Sequence, residues 1–431
     1  MKSVIYFDTA AAAKPCAASL AELSRVCVDT YGNPAALHGM GIRAEEVIAR
    51  SKAELLAHLP FAHAGDIVFT SGATESNNLA VNGAVNALAK ANRGGVVITT
   101  GVEHKSVSVP FAALDGAGGG YDKLVLSPVD CKHTGNDRES ERSRADREGE
   151  TLRKDGACGV AGYDGCTAFT DYIIDKINEH APRVFFVSVI AVNNETGAVI
   201  DVARVCAAAK RANRACVVHT DFAAGFLKYD LRGRILRGNN GCSGQGLLGT
   251  AGGDDCVPDL ITVSALKCGG VGGIGGLYVR RGTRLVPQIV GGGHQRGIRS
   301  GTEPTALIAA FDAAAREYVP ASDGLSRCLA DGLCRMDNVR LNGVSDYIVN
   351  FSFVGVKAET LVHFLEERGI YVSAGSSCNS KSIKNEVLLN YGIPAGLADT
   401  AVRVSFCNDN TVGEVAELLA ALEAARVAFR V

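Results

Sequence analysis

The sequence predicts an α/β fold: a parallel sheet covered by helices, followed by a smaller α+β unit at the C-terminal end. Two observations carry this. Short apolar, β-branched runs alternate with amphipathic helical stretches, the pattern of strands joined by helical crossovers. After about residue 330 that alternation gives way to a strand, a helix and a long helical stripe. The length of 431 residues adds a prior of two to three domains at roughly 150 residues each.

Taken in order, residues 66–70 (DIVFT) read as a strand, followed by a helix from about 74 to 90. Residues 96–100, 183–191, 216–220 and 260–263 are further buried strands, and 201–213 is a helix between two of them. Past 330, residues 347–353 read as a strand and 358–368 as a helix. Val412, Val415, Leu418, Leu419 and Leu422 then form a helical stripe. Two segments break the rhythm. Residues 131–165 are polar with mixed charge, and 232–257 are rich in glycine. Both read as surface insertions.

Composition narrows the function classes. The 44 Lys+Arg nearly balance 46 Asp+Glu, for a net charge of -2. No basic excess points to nucleic acid. No apolar run approaches the roughly 18 residues of a spanning helix, and the first residues do not form a secretory leader, so no membrane partner is expected. The 14 cysteines include no C-x-x-C pair, which argues against a structural zinc site and for reduced thiols in the cytoplasm. No metal is expected. Glycine is in excess, 50 residues against 11 prolines, and without a G-X-Y period this reads as many tight turns and close backbone approaches.

Four places can carry chemistry. Ser71-Gly72-Ala73-Thr74 lies between a strand and a helix, where free backbone N–H groups bind phosphate or carboxylate; the same residues serve equally as an ordinary cap. Asp221 closes the strand CVVHTD, at the strand end where open α/β sheets bind ligands, or else it caps the next turn. Lys267 precedes the glycine run CGGVGGIGG, where desolvation can keep its amine partly neutral and nucleophilic; a lysine snorkelling beside a turn is the alternative. Cys378 lies in SAGSSCNSKS, a small polar segment that favours an exposed thiol, which can be reactive or else a surface thiol without a role. A Schiff-base lysine, an acid for a pyridinium nitrogen and a phosphate-binding helix start are together what pyridoxal phosphate requires.

The order and local sequences resemble the cysteine desulfurases of the class V aminotransferase family. The matching stretches are YFDTAAA (6–12), NPAALHGMG (33–41), TSGATESNN (70–78), VEHKSV (102–107), VNNETG (192–197), HTD (219–221) and SALK (264–267), then GGGHQRGIRSGTEP (291–304), SAGSSC (373–378) and VRVSF (402–406). They run nearly the length of the chain, apart from the two insertions.

The resemblance implies a fold-type I pyridoxal-phosphate enzyme with a mostly parallel central sheet and helices on both faces. It implies a large domain over 16–330 and a small α+β domain formed by 1–15 with 331–431, the latter carrying the Cys378 segment. Lys267 would hold the cofactor covalently, Asp221 would pair with the ring nitrogen, and His104 would stack on the ring and move protons. Ala73, Thr74 and Ser264 would hold the phosphate, and Asn194 would lie near the ring's phenolic oxygen. Thr302 would reach the phosphate of a neighbouring subunit in a homodimer, and Arg403 would bind the substrate carboxylate. The implied reaction takes sulfur from L-cysteine, releases L-alanine and leaves a persulfide on Cys378 for an acceptor such as an iron–sulfur scaffold protein.

Two positions depart from the family's pattern. Ala224 stands where the family has a glutamine on the phenolic oxygen, and Leu266 where it has a phosphate-binding histidine. At 0.5–1.5 kcal/mol for a neutral hydrogen bond and 1.5–3 for a charged one, about 2–4 kcal/mol of cofactor binding is lost. The motifs leave open a selenocysteine lyase or other class V enzyme, and a catalytically weakened homologue that acts by binding a partner.

Overall fold

The computed structural model describes residues 4–59, 64–133, 164–230, 254–322, 324–375 and 385–431. Strands among them are β1 (Ile5–Tyr6), β2 (Gly65–Thr70), β3 (Val96–Thr100), β4 (Asp122–Leu126), β5 (Val184–Ile190), β6 (Val217–Asp221) and β7 (Leu260–Ser264). They continue with β8 (Gly275–Arg280), β9 (Val339–Val344), β10 (Ile348–Phe353), β11 (Ile370–Tyr371) and β12 (Ala401–Ser405). Seven of them form one sheet in the order β2-β8-β7-β6-β5-β3-β4. Its pairs are parallel except where β8 runs against β2 and β7.

Both faces of this sheet are buried, which is why its strands read as continuous apolar runs. Successive residues point to opposite faces. Ile67, Phe69, Val96, Ile98, Val218, Ile261 and Val263 enter one core, while Val68, Val97, Val217, Leu260 and Leu277 enter another. The helix Ala73–Leu88 covers the second core through Leu79, Ala80, Ala84 and Val85. The helices Asp164–Glu179, Val202–Ala212 and Thr305–Arg316 cover the first through Ile173, Val205 and Phe311. Inside the sheet, the buried His219 joins β5 to β7, its Nδ1 2.8 Å from Ser188 Oγ and its Nε2 3.1 Å from Thr262 Oγ1. Burial pushes that imidazole down to about 3, so it is neutral.

A second, smaller antiparallel sheet, β12-β10-β9, packs on the helices Leu325–Leu333, Ala358–Glu366 and Val412–Phe429. The N-terminal segment joins it: β1 pairs in parallel with β11, and Ser405 N donates to Phe7 O at 2.7 Å. Of the helical stripe read at 412–422, Val415, Leu418 and Leu422 are buried, but Val412 is 60% exposed because it opens the helix beside the Thr411–Glu414 capping box. Most of the two insertions read at 131–165 and 232–257 lies outside the described residues. Val257, the last residue of the second, is instead core and packs on Ala203.

The carboxyl ends of the strands are held closely. Gly275 opens β8 between Thr70 and Ser264, and a Cβ there would lie 2.8 Å from the backbone of Gly72. Gly275→Ala is expected to cost about 1–3 kcal/mol, read as a lower urea midpoint with an unchanged denaturant slope. Glu103 is buried between the ends of β3 and β5, its Oε1 accepting from Thr100 Oγ1 at 2.5 Å and Ile190 N at 2.8 Å, while Oε2 has no partner among the described residues. Burial lifts its carboxyl from 4.5 to about 8, with Asp221 adding and the two hydrogen bonds opposing. Between those values the unfolded chain has lost this proton and the folded chain keeps it, so stability falls as pH rises. Glu103→Gln removes that slope and is expected to gain about 1–3 kcal/mol on wild type between pH 5 and pH 8, measured by urea unfolding at several pH values.

Candidate active site

Lys267 ends the tight turn Ala265–Lys267 that follows β7. The glycine run predicted to turn here does so: Gly270 N and Cys268 N both bond Ala265 O, and Gly269 takes φ +80. The turn swings the Lys267 side chain toward the N-terminal segment, where Nζ donates to the carbonyls of Ala10 and Ala11 at 2.5 and 2.6 Å. A neutral amine has two N–H bonds, so these two carbonyls satisfy both and leave its lone pair uncommitted. Burial pushes the amine down to about 8; Arg403 and Lys228 push the same way, while Asp221 and Asp8 oppose.

Asp221 ends β6 and is 5% exposed. Its Oδ1 accepts from Ala223 N at 3.0 Å and its Oδ2 from Asn77 Nδ2 at 2.7 Å. The same Asn77 nitrogen donates to Ser106 Oγ at 2.8 Å, and Ser106 Oγ lies 2.7 Å from His104 Nδ1. Ser106 N also donates to His104 Nδ1, at 3.1 Å. That backbone donor fixes Nδ1 as an acceptor and leaves the proton of the neutral ring on Nε2. Burial lowers the His104 pKa, Asp221 opposes this, and Lys267 and Lys105 add to it. Position follows from sequence: His104 caps the helix Lys105–Ala113, while Asn77 lies on the buried side of the helix Ala73–Leu88.

Arg403 lies on β12 and is 3% exposed. One terminal nitrogen donates to Asn194 O at 2.9 Å and lies 3.4 Å from Glu195 Oε1; the other donates to Asp8 Oδ1 at 2.7 Å. Its Nε has no hydrogen-bond partner among the described residues. Asn194 Nδ2 donates to Glu195 Oε1 at 3.1 Å. Glu195 is 1% exposed, and burial raises its pKa against the pull of Arg403.

Ala73 and Thr74 open their helix after Gly72, which carries no side-chain cap and takes φ +152. Ser264, the last residue of β7, is brought beside them by its pairing with Gly275. Thr302 is solvent-exposed, and no hydrogen bond among the described residues links it to this group. Cys378 lies outside the described residues. Of the two departures, Ala224 lines a small cavity with Lys267 and Lys228, and Leu266 is half-buried beside Lys267.

Sequence reasoning missed Asp8, Asn77, Ser106, Glu195 and Lys228. Four of these five sit inside stretches singled out for other residues (YFDTAAA, TSGATESNN, VEHKSV and VNNETG). Lys228 lies in no such stretch, and only its burial reveals it.

The family model for aminotransferase class-V matches residues 5–130 and 254–418. A protein of Lactobacillus delbrueckii subsp. bulgaricus named NifS/IcsS protein homolog is 31% identical, covering 97% of this chain and 96% of its own. One of Vibrio campbellii named cysteine desulfurase IscS is 34% identical, over 90% and 83%. A solved structure titled SspA in complex with cysteine superposes with a TM-score of 0.69 at 25% identity, over 95% of this chain and 100% of that one. With the family model matching well over half its length, the chain belongs to the class V aminotransferase family.

Proposed function

We propose that the chain is a pyridoxal-phosphate-dependent cysteine desulfurase that releases L-alanine and carries the sulfur as a persulfide on Cys378. The observation that carries this reading is the buried Lys267 amine, held by two carbonyls and pushed down to about 8, so that a neutral form with a free lone pair is accessible near neutral pH. The residues fit the cofactor: a nucleophilic amine for its aldehyde, a buried carboxylate at Asp221 for its ring nitrogen, and an uncapped helix start for its phosphate. Relatives named cysteine desulfurase, and a structural neighbour titled as a cysteine complex, support L-cysteine as substrate.

In this reading Lys267 binds the cofactor, Ala73, Thr74 and Ser264 hold the phosphate, and Asn194 and His104 flank the ring. When bound, pyridoxal phosphate supplies an electron sink for the charge left at the substrate Cα. Lys267 Nζ takes the Cα proton. Arg403 holds the substrate carboxylate, with its unpartnered Nε as a free donor. His104 Nε2 carries its proton in the resting site and acts first as a donor. Cys378 thiolate attacks the substrate sulfur, forming the S–S bond as the Cβ–S bond breaks, and the bonding pair stays with the carbon that becomes the alanine methyl group.

The protein works as a homodimer in the reducing cytoplasm and passes its sulfur to an acceptor protein. Exposed Val286, Ile289 and Val290 precede Thr302 in a segment folded back by the Ser300 N to Ile289 O bond, and supply a face for the second subunit.

Ala224 and Leu266 bring no polar group to the cofactor, which favours a second reading: a weakened homologue that acts by binding a partner. Purified with pyridoxal phosphate, the protein is expected to be yellow, to keep the cofactor on Lys267 after borohydride, and to form alanine from L-cysteine with a trapped persulfide on Cys378. A colourless protein indistinguishable from its Lys267→Ala variant selects the second reading, and alanine from selenocysteine alone selects a selenocysteine lyase. Ala224→Gln is expected to tighten cofactor binding about 2- to 10-fold, measured by equilibrium titration of absorbance.

A further inference from the structure

Lys228 is an unusual residue to find inside a protein. It is 7% exposed, and its ammonium makes one hydrogen bond, to the backbone carbonyl of Lys267 at 3.2 Å. The same nitrogen stands over the Tyr347 ring, 5.7 Å from its centroid. Both are partners for a cation: a carbonyl oxygen and the negative face of an aromatic ring. Among the described residues no carboxylate is within ion-pair distance, which sets it apart from Lys210, another largely buried lysine, held by Asp259 at 2.7 Å. The adjoining cavity, lined by Ala10, Ala224, Lys228, Lys267 and Tyr347 among others, measures only ≈ 10 Å³. It is too small for a substrate or for a second anion, so Lys228 serves something already in the fold.

We propose that Lys228 is a positioning residue for Lys267, fixing its backbone carbonyl and placing a positive charge beside its amine so that the neutral, nucleophilic form prevails. The inference deepens the reading of Lys267 as the cofactor-binding lysine and rests on it. Several charged groups face the Lys267 amine: Arg403 from β12, Asp8 from the N-terminal segment, Asp221 from β6, His104 from its helix cap and Glu195 from the loop after β5. Burial pushes Lys228 itself down to about 8, and the Cys268 and Cys407 thiols oppose this. Arg403 pushes the same way and is paired with Asp8 at 2.7 Å, whose charge opposes it at Lys267. Among the described residues the Lys228 charge has no such counter-ion. The partners agree, since beside its carbonyl Lys228 has a ring face, which suits an ammonium. As neighbouring like charges, the two lysines disfavour carrying a proton at once, and in this arrangement it stays on Lys228.

The test measures the Lys267 amine directly. The full chain, freed of cofactor, is labelled competitively with acetic anhydride from pH 6 to pH 10, and the Lys267 peptide is read by mass spectrometry. Lys228→Met is expected to move the labelling midpoint of Lys267 up by about one pH unit, on the order of tenfold less labelling near neutral pH. Lys228→Arg keeps the cation and is expected to retain the wild-type midpoint. In the holoenzyme, the absorbance of the cofactor bound on Lys267 should titrate with the same upward displacement in Lys228→Met and not in Lys228→Arg. If Lys228→Met does not fold, Lys228→Gln, which keeps a donor and loses the charge, gives the same comparison. An unmoved midpoint in the neutral variant, or an equal rise in Lys228→Arg, overturns the inference. Failure of borohydride to fix a cofactor on Lys267 overturns the underlying reading alone, because the labelling midpoint is measured without cofactor.

Discussion

A guanidinium as buried as that of Arg403 is tolerated only because three distant parts of the chain come to it. Asp8 arrives from the N-terminal segment, Asn194 and Glu195 from the loop after β5, and Arg403 itself from β12 of the small sheet. Taking such a charge out of water costs several kcal/mol unless its partners are well placed. The loss of any one partner leaves the others exposed to that cost. The cluster is therefore a joint between the two sheets as much as a feature of the site. The backbone bridge between Ser373 and Arg403 fixes the start of the segment that leads to Cys378 on the same joint.

Around it the charges are unevenly balanced. While it still carries its proton, Lys267 joins Lys228 and Arg403 as a cation against the Asp8 and Asp221 carboxylates, and burial pushes Glu103 and Glu195 toward their neutral acids. The pocket thus leans positive inside a protein whose formal net charge is -2. Such a local field draws in ligands carrying phosphate or carboxylate without making the whole molecule basic.

Much of this was legible in the sequence. The five buried strands of the parallel sheet were readable because burial on both faces demands uninterrupted Val, Ile and Phe, and their observed bounds differ from those read by a residue or two. β4 and β8 were not read: β4 faces outward at Asp122 and Lys123, and β8 begins on glycines and runs antiparallel. Lys267 and Asp221 were visible because they sit at strand ends beside turns. Asn77, Ser106 and Lys228 were not, since a polar residue on a helix or turn shows its partners only when the chain has folded. The long segments 131–165 and 232–257 were recognisable by composition, but composition could not show that Val257 already belongs to the core.

The N-terminal segment has a consequence for how the protein is made. Ile5 and Tyr6 pair with Ile370 and Tyr371, Phe7 bonds Ser405, and the carbonyls of Ala10 and Ala11 hold Lys267. On the ribosome these first residues emerge long before any of those partners, and the helices and strands between them have time to form as they appear. The contacts of this segment with β11 and β12 therefore cannot form until residues 370–405 have been made.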